Sequence, residues 1–341
     1  MTRRMFAGGM TPIGFVDFFD HIMPLKTAQK RYFLKGASGS GKNTFIKKIA
    51  AEFEAAKLNI DFFHCANDAT SMDGVAVKER GFSIIDATRP HAHDPEIPAA
   101  IDEIIDFAQF LDRQKVARHL DEIIKLSHSK KESYSLAQKL LASAGSVSYP
   151  EMSAYERSRI KELAREYANS IKNEPSDAAF PIGTNRSMFL GAITPDGIRN
   201  FADTVLSIYR AYNISAQTRA DIFLMELKEY ANAIGINTES VFCPLEPAKI
   251  LHLILPEEGI AFVTSGGRFG YTGNAYRTID LIHSKAPLQN DKIVDVILDA
   301  TFAAMQSARA SHEKIEEIYV SAMDFAGVDE LTEQIVRGLV L

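Results

Sequence analysis

Gly36-Ala37-Ser38-Gly39-Ser40-Gly41-Lys42 is the stretch of this 341-residue chain that decides the fold. It matches the pattern GxxxxGK, in which glycines let backbone N–H groups surround phosphate oxygens and the lysine reaches the β- and γ-phosphates. An apolar segment ends at Leu34 just before it, and Thr44-Phe45-Ile46-Lys47-Lys48-Ile49-Ala50 opens a helix just after it. A strand, a glycine loop and a helix N-terminus together favour a phosphate-binding loop over a flexible glycine turn.

The phosphate-binding prediction covers a continuous set of residues. The expected ATP-binding residues are Gly36, Ala37, Ser38, Gly39, Ser40, Gly41, Lys42, Asn43 and Thr44. The position after the lysine ordinarily carries Ser or Thr, whose hydroxyl binds Mg²⁺. Asn43 stands there instead, and Thr44 follows it. Because an asparagine carbonyl is uncharged and longer than a hydroxyl, we expect Mg²⁺ to bind at a weakened site.

A carboxylate is expected beside the phosphates at the end of a second apolar strand, and Phe82-Ser83-Ile84-Ile85-Asp86 supplies one. Lys42 would neutralise charge on the β- and γ-phosphates, and Asp86 would complete the Mg²⁺ site with Asn43 and Thr44. An aspartate that simply ends a strand is the alternative for Asp86. No glutamate follows Asp86, so the general base of many hydrolytic ATPases is missing at that place and slow hydrolysis is expected.

Polar residues follow the same strands, and we expect them on loops beside the phosphates because ligands gather at the carboxyl ends of parallel strands. The candidates for contact with substrate or γ-phosphate are His64, Asp68, Arg89 and His91. For Arg89 a surface salt bridge is the simpler interpretation.

The sequence also repeats itself. Met5-Phe6-Ala7-Gly8-Gly9-Met10-Thr11-Pro12-Ile13-Gly14 aligns with Met188-Phe189-Leu190-Gly191-Ala192-Ile193-Thr194-Pro195-Asp196-Gly197 at an offset of 183, and eight of the first sixteen aligned positions are identical. Farther along, an offset of 178 places Ile101-Asp102 over Ile279-Asp280. Chance would give about one identity in sixteen, so the chain carries an internal duplication.

Strands alternate with helices in each copy, which predicts α/β architecture. We expect two tandem P-loop NTPase-like halves with mainly parallel sheets flanked by helices, related by a pseudo-twofold axis. The predicted boundaries are residues 1–175 for the nucleotide-binding half, 176–185 for a linker and 186–341 for the second half.

The second copy lacks the residues on which phosphate binding depends. At the offset of 178, the equivalents of Gly39, Gly41, Lys42 and Asp86 are Gln217, Arg219, Ala220 and Thr264. Because side chains now replace the glycines and the lysine charge is lost, we expect one nucleotide site per chain and a structural second half. As an alternative, an arginine of the second half reaches the γ-phosphate as an arginine finger. The candidates are Arg219, Arg268 and Arg277.

Several motifs together resemble an uncharacterised bacterial family of tandem P-loop ATPase-like proteins. They are the duplicated Phe-x-Gly-x-x-Thr-Pro-x-Gly start, the GxxGxGK loop, Phe63-His64-Cys65 followed by Asp68, Ser71 and Asp73-Gly74, and the stretch Asp86-x-Thr88-x-Pro90-His91. The resemblance covers nearly the whole chain and implies ATP binding. In that family both halves commonly carry a loop ending in Lys-Ser or Lys-Thr. This chain departs from it at Asn43 and in the lost second loop.

Composition limits the remaining classes of protein. The chain is 46% hydrophobic and 24% charged, and its formal net charge is -6. Net negative charge argues against a nucleic-acid partner, and the lack of 18 consecutive apolar residues argues against a membrane span. The start, MTRRMFAGGM, lacks the apolar segment of a leader, and Cys65 and Cys243 form no disulfide framework, so we expect a cytoplasmic protein.

The predicted function is an ATP-binding P-loop NTPase with slow Mg²⁺-assisted hydrolysis at one site in the N-terminal half. A nucleotide or small-molecule kinase is an alternative, since kinases of the adenylate kinase type resemble this loop in having a threonine two places after the lysine. A third possibility is a sensor that binds ATP and changes shape without turnover. The sequence leaves a phosphoryl acceptor and an unknown protein partner open.

Overall fold

A computed structural model of the chain describes residues 2–89, 92–144, 152–171, 182–215, 217–281 and 291–339. It has α/β architecture, with two six-stranded sheets flanked by helices, and the two halves of the chain are similar. The predicted fold class and the internal duplication are therefore confirmed at this level. Most of the predicted linker, residues 176–181, lies outside the described residues.

The first copy supplies eight strands and four helices in the described ranges. They are β1 (Thr2–Met5), β2 (Gly8–Thr11), β3 (Gly14–Asp17), β4 (Lys30–Lys35), α1 (Lys42–Ala55), β5 (Ile60–His64), β6 (Met72–Val77), β7 (Phe82–Asp86), β8 (Asp102–Asp106), α2 (Arg113–Arg118), α3 (Leu120–Ala144) and α4 (Ala154–Ile171).

The second copy follows the same order of strands. Its elements are β9 (Asn185–Met188), β10 (Gly191–Thr194), β11 (Gly197–Asn200), α5 (Ala202–Leu206), β12 (Arg210–Ile214), α6 (Gln217–Ala233), β13 (Thr238–Phe242), β14 (Ile250–Leu255), β15 (Ile260–Thr264), β16 (Arg277–Ile279), α7 (Asp291–Ser321) and α8 (Phe325–Gly338).

Both large sheets are mixed rather than parallel throughout. The first has the order β1-β5-β6-β7-β4-β8, and the second has the equivalent order β9-β13-β14-β15-β12-β16. In each sheet one strand, β6 or β14, runs antiparallel to both neighbours, and the other neighbouring pairs are parallel. The connections on either side of these two strands are too short for a crossover, which forces the chain to reverse direction.

Sheet register identifies the equivalent residues of the two halves. Leu34 of β4 pairs with Asp86, and Ile214 of β12 pairs with Thr264, which agrees with the sequence alignment of Asp86 with Thr264. The last strands differ from the alignment, because Leu34 pairs with Ile105 whereas Ile214 pairs with Ile279. Ile279 therefore corresponds to Ile105 and not to Ile101.

Helices α1 and α6 bury equivalent faces against the two sheets. The buried residues of α1 include Lys42, Phe45, Ile46, Ile49 and Phe53, and those of α6 include Ala220, Phe223, Leu224, Leu227 and Ala231. The spacing of three and four residues is that of one helical face. A buried alanine thus occupies the position of Lys42 in the second half.

The C-terminal helices are exchanged between the halves. α4 follows the first copy in sequence but packs on α6, where Ile160, Ala164 and Ala168 join the core of the second sheet. α8 follows the second copy but packs on α1, where Val328 joins the core of the first sheet. The long helices α3 and α7 pack against each other and lead to these exchanged helices.

The two sheets meet at their first strands. The backbones of Phe6 and Phe189 exchange hydrogen bonds of 2.8 and 3.1 Å, and their rings are fully buried there. One apolar core contains residues of both halves, including Met5 and Met188. No helix within the described ranges is long and apolar enough to cross a membrane.

Candidate functional site

The glycine loop connects β4 to α1. Gly39 and Gly41 have positive φ angles of 72° and 91°, a backbone conformation that glycine adopts without steric cost. Gly41 is the N-cap of α1, and no side chain among the described residues caps this end of the helix. The N–H groups of the first turn are therefore without a side-chain cap at the point where a phosphate would bind.

Lys42 is buried beneath this loop. Its ammonium donates hydrogen bonds of 2.8 Å to the carbonyl oxygens of Gly36 and Ala37 and lies 3.8 Å from Asp86 Oδ2. Burial lowers the pKa of Lys42, while the negative charges of Asp86 and Glu316 oppose that shift. The loop thus holds a positive charge against its own carbonyl groups, and a polyphosphate would be a stronger partner for it.

A cavity of about 560 Å³ opens in front of the loop, which is within the usual size range of small-molecule sites. The predicted residues that line it are Ser38, Gly39, Ser40, Gly41, Lys42, Asn43, Thr44, Asp68, Asp86 and Arg89. Gly36 and Ala37 contribute the carbonyl groups that hold Lys42. The structure therefore brings most of the predicted site together.

His64 does not line the cavity. It is buried at the end of β5, where the Arg4 guanidinium donates to Nε2 at 3.0 Å. Nδ1 therefore carries the hydrogen and donates to the carbonyl oxygen of Ala69 at 2.7 Å. Both ring nitrogens have protein partners, so His64 fixes the loop after β5 rather than facing a phosphate. The other histidine candidate, His91, lies outside the described residues.

The predicted Mg²⁺ ligands differ in their surroundings. Asn43 Oδ1 accepts a hydrogen bond of 3.1 Å from the backbone N–H of Met72, so it anchors β6 to α1. The Thr44 side chain is exposed, and Asp86 is partly exposed beside Lys42. No group of three or more His, Cys, Asp or Glu side chains that could hold a metal occurs in the described part of the chain. A hydroxyl and a carboxylate are still suitable for Mg²⁺ when phosphate oxygens complete its coordination.

Sequence reasoning missed a buried carboxylate, Asp73 of β6, which lines the cavity and acts electrostatically on Lys42. The available signal was Asp73-Gly74 in the motif that follows Phe63-His64-Cys65. Reasoning from local motifs also missed a wall of the cavity that comes from the second copy. The residues of α7 and α8 in this wall are Arg309, His312, Glu313, Glu316, Val320 and Phe325.

Helix α7 contacts the loop directly. A Cβ placed on Gly39 would lie 2.7 Å from Val320 Cγ2 and 2.9 Å from the backbone oxygen of Glu316. His312 Nε2 lies 3.0 Å from Ser38 Oγ. Burial lowers the pKa of His312 to about 4, and the nearby Lys130 and Lys42 charges add to this shift. His312 is therefore neutral at pH 7.

The cavity contains more acidic than basic side chains. The carboxylates are Asp68, Asp73, Asp86, Glu313 and Glu316, and the cations are Lys42, Arg89 and Arg309. Burial works to raise the pKa of Asp68, but hydrogen bonds from Ser71 and Thr70 hold it below its usual value. Burial raises the pKa of Glu316, and the negative charge of Asp68 adds to the effect. A polyphosphate would therefore need a metal cation to offset the acidic wall.

None of the three arginines proposed as fingers lines this cavity. Arg268 forms an ion pair with Asp295, and Arg277 lines a separate cavity of about 280 Å³ in the second half. Arg219 has a buried Nε atom without a hydrogen-bond partner in the described part of the chain. The arginine of the second half that lines the cavity is Arg309, whose guanidinium forms two hydrogen bonds of 2.8 and 2.9 Å with Asp196.

The equivalent place in the second half has no room for such a loop. Six residues separate β4 from α1, but only two separate β12 from α6.

Comparison of the chain with models of known protein families, with curated protein sequences and with solved structures gave no match.

Proposed function

We propose that the chain binds one molecule of ATP in the cavity formed by residues 36–44 and hydrolyses it slowly. The observation that carries this proposal is the geometry of the loop. Two glycines with positive φ angles precede an N-terminus without a side-chain cap, and the Lys42 ammonium lies within hydrogen-bond distance of the loop. This arrangement supplies backbone N–H groups and one cation to an anionic ligand.

Each residue has a role that follows from its position. The backbone of the loop and of the first turn of α1 would bind phosphate oxygens. Lys42 would leave the carbonyl groups of Gly36 and Ala37 and neutralise charge on the β- and γ-phosphates. Thr44 and Asp86 are the residues suited to hold Mg²⁺, which offsets phosphate charge when bound.

A nucleotide-dependent switch is a second candidate function, and the contact between the loop and α7 favours it. Ser38 and Gly39 touch His312, Glu316 and Val320 of the second copy. Phosphates that enter the loop would therefore change the environment of α7, which also carries the chain to α8. Binding energy that differs between two positions of α7 would shift the population between them.

The products formed from labelled ATP distinguish these functions. We expect free phosphate from a hydrolase, a phosphorylated acceptor from a kinase, and intact ATP from a sensor.

We also expect ATP to raise the unfolding temperature of the wild-type protein and of Lys48→Ala, whose exposed ammonium pairs with Asp329. Lys42→Ala should lose this stabilisation. An ATP-induced shift of unchanged size in Lys42→Ala would contradict the proposal.

A further inference from the structure

We propose that Glu316, on helix α7 of the second copy, is the carboxylate that accepts the proton of the attacking water during ATP hydrolysis. This inference rests on the proposed function. It assigns a catalytic task to the half of the molecule that has lost its own loop. It also explains how hydrolysis proceeds without a glutamate after Asp86.

The position of Glu316 is the first argument. Its Cγ and its backbone oxygen both lie 2.9 Å from the place of a Cβ on Gly39, so α7 crosses directly over the middle of the loop. One turn earlier on the helix, His312 contacts Ser38. Glu316 also acts electrostatically on the Lys42 ammonium. Since Lys42 would neutralise charge on the β- and γ-phosphates, Glu316 lies on the side of the loop where the terminal phosphate and its attacking water would be.

Two other carboxylates of the cavity, Asp68 and Asp86, are already engaged. Asp68 Oδ1 accepts hydrogen bonds from the Thr70 backbone and hydroxyl, and Oδ2 accepts one from the Ser71 hydroxyl. Asp86 lies beside the Lys42 ammonium and accepts a hydrogen bond from the Thr88 N–H. The Glu316 carboxylate accepts no hydrogen bond from the part of the chain that the structure describes. It is half-buried and lines the cavity, so its carboxylate is available to a water molecule.

The electrostatic environment suits a proton acceptor. Burial and the charge of Asp68 raise the pKa of Glu316, whereas hydrogen bonds hold the pKa of Asp68 low. A carboxylate with a higher pKa binds a proton more strongly, which makes it the better general base when it is ionised. Lys42 is close enough to favour the ionised form of Glu316 before reaction.

The reaction balances with water as the only co-reactant. The water oxygen forms a bond to the γ-phosphorus as the bond between that phosphorus and the bridging oxygen breaks. The electron pair of the broken bond stays on the β-phosphate of ADP. The water proton passes to the Glu316 carboxylate, which releases it to solvent after the phosphate has left.

Glu316→Gln tests the proposal, with Glu317→Gln as the matched control. Glu317 is the next residue of the same helix, but it is exposed and does not line the cavity. In Glu316→Gln we expect kcat to fall by about 100-fold or more, since general base catalysis contributes about 10²- to 10⁴-fold. The ATP dissociation constant should stay within about threefold of wild type, and Glu317→Gln should match wild type in both. The acidic limb of the kcat profile against pH should disappear in Glu316→Gln.

The outcomes separate this inference from the proposed function. If Glu316→Gln binds and hydrolyses ATP like wild type, Glu316 is not the base, although the nucleotide site stands. If the wild-type protein binds ATP without releasing phosphate, the inference is also overturned. If the wild-type protein does not bind ATP, both proposals fail. Should Glu316→Gln unfold, Glu316→Asp replaces it, because a shortened carboxylate should lower kcat while it preserves the acidic limb.

Discussion

Asn43 shows how one residue at the end of the glycine loop can serve the fold in a position where the sequence pattern expects a metal ligand. Its side-chain oxygen accepts a hydrogen bond from the Met72 N–H and so connects α1 to β6. Ser or Thr at this place would supply a shorter hydroxyl to Mg²⁺. The sequence predicts a weakened cation site, but it could not indicate that Met72 is the partner of Asn43, because the two residues are far apart in the chain.

Asn43→Ser should lower the stability of the fold and strengthen Mg²⁺ binding. We expect the free energy of unfolding to fall by about 1 kcal/mol, since the Met72 N–H loses its partner. The Mg²⁺ concentration needed for half-maximal ATP hydrolysis should also fall. Urea denaturation and a Mg²⁺ titration of activity measure the two effects, and Asn67→Ser, at a nearby residue lining the cavity, is the control. An unchanged Mg²⁺ dependence would contradict this interpretation of Asn43.

Two features restrict Gly39 to glycine, its positive φ angle and the close approach of α7. Gly267 shares only the positive φ angle, so a comparison of the two residues separates the two effects. Gly39 has a φ of 72° and lies against Val320 and Glu316, whereas Gly267 has a φ of 68° and no atom of the described residues within 4 Å of its Cβ position. Gly267→Ala should therefore cost about 1 kcal/mol from backbone strain alone. Gly39→Ala should cost clearly more, and it should weaken ATP binding because α7 must move. Equal unfolding free energies for the two variants would mean that α7 does not press on the loop.

Local sequence patterns predicted the part of the site that is built locally. The loop, α1 and Asp86 follow from glycine spacing, helical periodicity and strand order, and all three meet at the cavity. His64 was predicted on the same grounds, but Arg4 and Ala69 occupy its ring nitrogens. Helix α7 carries apolar residues at helical spacing, yet no local pattern could show that it covers a loop almost 280 residues earlier.

At the scale of helices and strands, the exchange of α4 and α8 is the feature that sequence order hides. Apolar periodicity predicts that each helix buries one face, but it does not say which sheet receives that face. The same limit applies to β6, because β-strand residues do not reveal strand direction. The direction of β6 follows only from the short connections that the structure shows on each side of it.

The exchanged packing of α4 and α8 predicts which helix each of two substitutions will destabilise. Val328→Ala on α8 should cost about 2 kcal/mol and increase hydrogen exchange in α1, because Val328 packs in the core of the first half. Ile160→Ala on α4 should instead increase exchange in α6, because Ile160 packs in the core of the second half. Hydrogen-exchange mass spectrometry reads out both variants. If each variant affected the half that precedes it in sequence, the exchange of helices would be refuted.

At the scale of the whole molecule, a buried cluster of charges joins the halves with approximate twofold symmetry. Arg3 and Arg186 occupy equivalent positions, as do Asp61 and Glu239. Arg3 contacts both carboxylates at 2.7 Å, and Arg186 contacts Asp61 at 2.5 Å. Each carboxylate thus pairs with an arginine of the other half. Burial opposes ionisation, but the arginines hold the pKa of Asp61 and Glu239 far below their usual values.

Glu239→Gln should destabilise the protein by about 3 kcal/mol, since removal of one carboxylate charge leaves two buried arginines sharing Asp61. The pKa values of Asp61 and Glu239 are lowered by folding, so their stabilisation is complete above about pH 5 and is lost as pH falls below about 4. The unfolding free energy of Glu239→Gln should therefore depend less steeply on pH in this acidic range than that of wild type. Parallel slopes in urea denaturation from pH 6 to pH 3 would contradict the assignment.

The duplicated chain therefore combines a symmetric framework with an asymmetric site. Both halves keep the same strand order, but Ala220 replaces Lys42 and a shorter connection replaces the loop. The proposed function therefore requires a single nucleotide site per chain, built on residues 36–44.

Isothermal titration calorimetry of the full chain with ATP and Mg²⁺ tests this claim most directly. We expect one ATP bound per chain in the wild-type protein and no measurable binding in Lys42→Ala. Two bound molecules per chain, or binding of equal affinity in Lys42→Ala, would contradict it.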